Sequence, residues 1–224
     1  MAQEPLTDDS PGADLFPEYS TLYGLIVSEV EGLTDVQLDF ESERWEWSKW
    51  SIRRQLRHME GVIFGWLVVH WGETLFPDGE NGVRVVGRLT DSRFDRMDRE
   101  RSWETPVIMA ELKEGIDMTL GALAERSVSF LREHTYIAEQ SPEWNQSPEW
   151  KAMLKAHPAG LTVTGDPAKT VWTLEATIRH VYFEEVTHLY NIQRLKRAQG
   201  LHSVADLPRV GYWVMEGWDT SEPQ

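Results

Sequence analysis

The stretch TVWTLEATIRHVYFEEVTHLYNIQRLKRAQG, residues 170–200, decides how the chain is read. Its apolar positions recur at helical spacing, so it is read as one long amphipathic helix. His180, Glu184 and His188 lie within it at intervals of four. Four residues advance an α-helix about 40° beyond a full turn, which puts these side chains on one side. With His188 as the reference angle, Leu174, Val181, Ile192 and Leu195 all fall within about 40°, and so does Glu184 in the opposite sense. A carboxylate in an apolar stripe is costly to bury without a cation. Glu185 is also near the stripe, and helix geometry alone leaves both acids open. A Glu and a His one turn apart can reach one metal ion, but a stable site needs a third ligand from elsewhere.

The composition limits what that ion could be held by. The chain has 224 residues, 41% hydrophobic and 26% charged, as expected for one globular domain spanning 1–224. It has no cysteine, which excludes disulfides, thiolate zinc sites and cysteine nucleophiles. Ligands must then be His, Asp or Glu. A formal net charge of -15 argues against a nucleic-acid partner or an anionic membrane surface. The N-terminus has no signal-peptide pattern, and the apolar run at 62–69 is too short to span a bilayer. A cytoplasmic protein is expected, with residues 1–14 as a flexible tail.

Three further helices are predicted. The first starts near Phe16 or Pro17, with Tyr19, Leu22, Tyr23, Ile26, Val30 and Leu33 as its stripe and Gly32 as its stop. The second opens at Trp50-Ser51, with Ser51 as N-cap, carries Ile52, Leu56, Met59, Ile63, Trp66 and Leu67, and ends at Gly72. The third starts at Thr105-Pro106, with Thr105 as N-cap, and runs to about His134. Segments 73–104 and 135–168 read as two long irregular insertions, with VRVV at 83–86 as a short strand and SPEW repeated at 141 and 147. In the C-terminal tail Leu207, Tyr212, Trp213, Val214 and Trp218 are expected to pack back, and the last residues, TSEPQ, to stay free. The fold class is therefore all-α, a four-helix bundle with two insertions.

Of the 7 histidines, His70, His134, His157 and His202 fall at helix ends or in connections, where a capping or exposed role is the plain reading. His58, His180 and His188 are mid-helix and close to apolar stripes. A lone helical His there is commonly a hydrogen-bonded core residue. Glu185-Val-Thr-His188 also spells the E-x-x-H of di-iron bundles, but HMEG at 58–61 supplies no second copy, so a dinuclear site is rejected.

Two segments carry a resemblance. One is GLTDVQLDF followed by Trp50-Ser51-Ile52, Leu56 and His58; the other is Glu184-Glu185-Val-Thr-His188-Leu-Tyr-Asn-Ile192 with Arg194-Leu195. In these the chain resembles the DinB/YfiT-like superfamily of four-helix-bundle metalloenzymes. The resemblance implies His58 as first ligand, Glu184 rather than Glu185 as the middle one, and His188 as the last. Most members have His where this chain has Glu184. A Glu there is similar to the mycothiol-dependent maleylpyruvate isomerases, which usually add a C-terminal domain for which this chain has no room.

The resemblance further implies a divalent ion, zinc before nickel or iron, with an open coordination position. A low-molecular-weight thiol, held as its thiolate by the ion, would attack an electrophilic small-molecule substrate in an S-transfer or isomerisation. His180 would line the pocket or hydrogen-bond a ligand side chain, against the plain reading of a boundary residue. Trp50 and Trp66 would wall the pocket or simply fill the core, and Arg53, Arg54 and Arg57 would form a solvated face. A homodimer is expected. Two other classes use the same set: a non-catalytic metal or small-molecule binder, and a non-haem iron enzyme with two His and one carboxylate.

Overall fold

The structure is a computed structural model that describes residues 5–77 and 103–223. It is mostly helical, with one small three-stranded sheet. The predicted strand at 83–86 and most of the first insertion lie outside the described residues.

Helix α1 spans Leu22–Val30, preceded by a 3-10 turn at Tyr19–Thr21. Gly32, at a φ of 76°, reverses the chain just beyond it, as a C-terminal glycine does. Helix α2, Ile52–Phe64, begins where Ser51 accepts a hydrogen bond from Arg54 N. Its ladder does not run straight to Gly72. Residues Gly65–His70 wind as a π-helix, and a separate turn covers Gly72–Leu75. Such π segments recur at functional sites because they rotate side chains off the α-helical face. This one carries Trp66.

Helix α3, Thr105–Glu125, starts at the residue expected to cap it. Glu104 takes the N-cap position, and the Thr105 hydroxyl instead accepts from Arg53 Nη1 at 2.7 Å. The helix does not reach His134. Arg126 is extended (φ -119°, ψ 145°), and Ser127 caps a new helix α4 at Val128–Glu133.

The second insertion is structured. Strand β1 (Thr135–Glu139), helix α5 (Pro148–Ala156), strand β2 (Leu161–Val163) and strand β3 (Lys169–Thr173) follow in order. The sheet order is β1-β3-β2, antiparallel throughout, with Thr135 opposite Thr173 and Leu161 opposite Trp172. Thr170-Val-Trp-Thr173 therefore belongs to a strand and not to the long helix. It is β-branched and aromatic, and Thr170 and Trp172 alternate with less buried neighbours. Helix α6, Leu174–Ala198, starts immediately after it, where the Thr173 hydroxyl accepts from Ala176 N at 3.1 Å. The two SPEW copies behave differently: Ser147 caps α5 with Pro148 in its first turn, whereas the first copy leads into a 3-10 turn at Trp144–Gln146.

Helix α2 packs against both α3 and α6, and α1 against the same two. Tyr19, Leu22, Ile26, Ile52, Leu56, Met59, Ile63, Leu112, Ile116, Ile178, Val181, Leu189 and Ile192 fill the space between them. A smaller cluster of Trp150, Met153, Leu161, Trp172 and Tyr212 joins the sheet and α5 to α6.

Three surface expectations change. Arg53 and Arg57 are buried: Arg53 pairs with Asp35 and Asp39, and Arg57 with Glu111 at 2.5 Å. Arg54 alone stays exposed, over the Trp50 ring. Residues near 10–16 are tied down, since Gly12 N donates to Arg126 O at 2.7 Å and Pro11 bridges Ser127. In the tail Tyr212 is buried and Leu207, Trp213 and Trp218 pack inward, but Val214 is exposed. The last residues are held as well. Ser221 Oγ accepts from Trp47 Nε1, and Glu222 accepts from Tyr190 and Arg197 of α6. Among the described residues no helix is long and apolar enough to cross a membrane.

Candidate metal centre

Helices α2 and α6 bring three donors together. One ligand atom each from His58, Glu184 and His188 lies within 4.8 Å of the others. The His58 and His188 ring centroids are 4.6 Å apart, and Trp50 lies parallel to His188 at 6.1 Å and edge-on to His58 at 5.0 Å. The Trp-Ser opening of α2 thus encloses both rings.

Hydrogen bonding fixes the His188 tautomer. Its Nδ1 contacts Gln55 Oε1, and the Gln55 amide nitrogen is turned toward Trp50 O. A carboxamide oxygen only accepts, so Nδ1 donates and Nε2 keeps its lone pair. That lone pair faces Glu184 Oε2 at 3.2 Å. Two acceptors at this distance repel unless a cation lies between them, and the cation is either a proton on His188 or a metal ion. No described residue hydrogen-bonds the His58 ring. Burial, with His188 next in effect, lowers His58 to about 3, which leaves it neutral and able to ligate at neutral pH. Burial opposes ionisation of Glu184, but in the proton-bridged state a hydrogen bond donated by His188 Nε2 and the surrounding imidazoles outweigh it and bring the carboxyl down to about 2. The neutral His58 imidazole, the Glu184 carboxylate and a His188 ring anchored through its Nδ1–H suit a divalent ion of borderline softness.

The Gln55 contact carries its own prediction. Gln55→Leu leaves all three ligands in place but frees the His188 ring to rotate. We expect about a 10–100-fold loss of metal affinity with little loss of fold, read by competition with a chromogenic chelator.

Glu185 goes elsewhere. It is fully buried, and neither carboxyl oxygen has a hydrogen-bond partner among the described residues. Burial first, then Glu184 and Glu60, hold its pKa well above the ordinary value, so it is a neutral acid in the core.

The three donors open onto a cavity of ≈ 440 Å³. Trp50, Val62, Trp66, Trp144, Met153 and Trp218 give it apolar walls, and no Lys or Arg lines it among the described residues. Trp144 remains 38% exposed at this cavity. A larger hollow of ≈ 610 Å³ lies beside it near Trp47 and Arg194 but contains none of the three donors. His180 also lines the cavity, with Nδ1 4.0 Å from Glu184 Oε1, beyond hydrogen-bond distance. His70, His134 and His202 stay outside it. His157 does not follow its plain reading: it is 1% exposed and bonded to Tyr212. Sequence periodicity also passes over Trp144, Met153, Tyr212 and Trp218, which come from non-periodic segments. The repeated SPEW was the available signal, because one copy places Trp144 and the other Glu149 at the cavity.

Compared with protein-family models, characterised proteins and solved structures, the chain gives no match to any of the three.

Proposed function

We propose that this chain is a divalent-metal-dependent enzyme on a DinB-like four-helix bundle, formed by α1, α2, α3 and α6. In this reading His58, Glu184 and His188 hold one ion, with zinc first among the candidates. The observation that carries it is the pair of facing acceptors, His188 Nε2 and Glu184 Oε2, beside the ring of His58, which no described residue hydrogen-bonds. A proton would satisfy the pair alone, but it would leave His58 without a role.

An ion held there supplies a Lewis acid that draws the pKa of a water or a thiol toward neutrality. The chain's own contribution is placement and exclusion. Gln55 orients His188, Trp50 fixes the edge of the His58 ring, and the tryptophan walls present an apolar surface to the reacting group. The walls suit a small molecule with an apolar body. Among the described residues the lining is mostly apolar and holds no cation, which suits thiol-dependent S-transfer to a mostly apolar electrophile.

The test is metal analysis of natively purified protein, followed by an assay of thiol consumption with 1-chloro-2,4-dinitrobenzene as electrophile. One divalent ion per chain with metal-dependent consumption supports the proposal. Stoichiometric iron would move the reading to an oxygen-using enzyme, and bound metal without turnover would leave a binding protein. Metal-free protein at full yield would favour the proton-bridged pair.

A further inference from the structure

The C-terminal segment inserts a phenol between two buried imidazoles. Tyr212 Oη is 2.6 Å from His180 Nδ1 and 2.9 Å from His157 Nε2, and all three residues are buried. The phenol cannot drift. Thr187 Oγ1 accepts from Tyr212 N at 2.9 Å and from Trp213 N at 3.4 Å, which ties the segment to α6. Gly211 has a φ of 104°, and a Cβ there would meet Thr187 Oγ1 at 3.0 Å and Phe183 O at 3.1 Å.

A phenol has one hydrogen, so it donates to one ring and accepts from the other. His157 Nδ1 decides the direction. It is buried and has no hydrogen-bond partner among the described residues. A proton on that nitrogen would be an orphaned buried donor, which folded proteins rarely keep, whereas an unpaired ring lone pair is tolerated better. The neighbouring Trp172 ring, 6.3 Å away centre to centre, offers no acceptor; its Nε1–H is itself a donor without a partner among the described residues. The His157 proton therefore sits on Nε2 and is donated to Tyr212 Oη. Tyr212 in turn donates to His180 Nδ1, and the His180 proton sits on Nε2. Glu184 does not compete, since its Oε1 stands 4.0 Å from His180 Nδ1. Burial lowers both imidazoles, His157 to about 3, so neither needs a second proton at neutral pH.

No described residue hydrogen-bonds His180 Nε2, and His180 lines the cavity that holds the three metal-ligating donors. We infer that His180 Nε2–H is a fixed hydrogen-bond donor to the cavity, oriented by Tyr212 and His157, and that it selects ligands with an acceptor oxygen, such as a carbonyl, on an apolar body. The ligand class rests on the proposed function of the cavity; the tautomer does not. A neutral imidazole locked in this state can polarise a carbonyl without giving up its proton.

The experiment is long-range proton–nitrogen correlation NMR on nitrogen-15-labelled protein at neutral pH, with and without zinc. His180 is assigned by comparison with His180→Asn. The wild-type spectrum decides the tautomer without relying on any Tyr212 variant. We expect a protonated, pyrrole-type Nε2 and a pyridine-type Nδ1 in both the zinc-loaded and the metal-free protein. A pyridine-type Nε2 overturns the inference. Persistence of the tautomer in protein that fails to take up zinc would separate this result from failure of the metal reading. Acetophenone, compared with ethylbenzene, then tests recognition. Acetophenone should shift the His180 Nε2 signals and bind about 3–10-fold more tightly, the effect of one hydrogen bond. Equal affinity of the two probes, with His180 signals unmoved, overturns it. In Tyr212→Phe the preference should shrink, and the His180 signals should move to an average of the two tautomers.

Discussion

His188→Ala and Glu184→Ala each lose the bound ion, and Glu185→Gln keeps it at wild-type occupancy. Two of the three donors lie one turn apart on α6 and the third comes from α2, so helical backbone holds each of them in place. Removing the oxygen or the Nε2 leaves two protein donors, and the loss should exceed the about 10–100-fold that follows from disturbing an outer contact. Glu185 makes the matched control because it differs by one position. Its carboxyl is in the dry interior, neutral, and aligned with Glu60 and Tyr19 rather than with the cavity. The measurement is metal content per chain after dialysis against a weak chelator, with circular dichroism to show that each variant folds. Equal content in all three variants would remove the site. Loss in Glu185→Gln alone would mean that the helix register is off by one. Metal should also stabilise the wild type, by about 2.7 kcal/mol at a free concentration one hundred times Kd, and neither alanine variant should show this shift.

The contrast between Glu184 and Glu185 shows how much of the site was legible in sequence. Spacing by four on α6 placed His180, Glu184 and His188 on one side, and the structure has all three at one cavity. Periodicity could not choose between adjacent acids, because both fall near the stripe. Three-dimensional surroundings separate them: Glu184 faces imidazoles at the cavity, and Glu185 is buried in the core near Tyr19 and Glu60. The partner helix was visible through Ser51 and its stripe, but Gln55 was not, since an amide within a polar-looking turn has no signature of its own. The start of α6 was misplaced because Val171 and Trp172 satisfy a helical stripe as well as a buried strand. Only pairing with β1 and β2, from a segment without helical period, resolves that. The same segment hid His157 and Trp144. Tyr212 was expected to pack inward, but its contact with two imidazoles depends on a glycine turn that no local pattern announces.

Glu29→Ala should destabilise the protein by on the order of 3–5 kcal/mol, the range for breaking a buried charge pair from one side. Glu29 is on α1 and completely buried. Its carboxylate accepts from Lys196 Nζ at 2.5 Å, Gln193 Nε2 at 2.8 Å, Val204 N at 2.8 Å and Ala205 N at 2.7 Å. One side chain thereby joins α1 to the end of α6 and to the chain that leads away from it toward Tyr212. Alanine would leave the Lys196 ammonium buried without its partner and two backbone N–H groups without an acceptor, which is why the cost exceeds that of an exposed ion pair. The pH dependence follows from the same contacts. Burial raises the carboxyl pKa, but Lys196, Ala205, Gln193 and Val204 outweigh it, and the folded value lies below 4.5. A depressed folded pKa gives stability that is fully present above the unfolded pKa and is lost as the pH falls through the folded one. Urea unfolding of wild type and Glu29→Gln between neutral and acid pH would show this. The Gln variant should lose part of the neutral-pH stability and flatten the acid slope, because it keeps an acceptor but cannot titrate. A loss below about 1 kcal/mol in Glu29→Ala would place the Lys196 ammonium in water and remove α1 from the support of the Tyr212 segment.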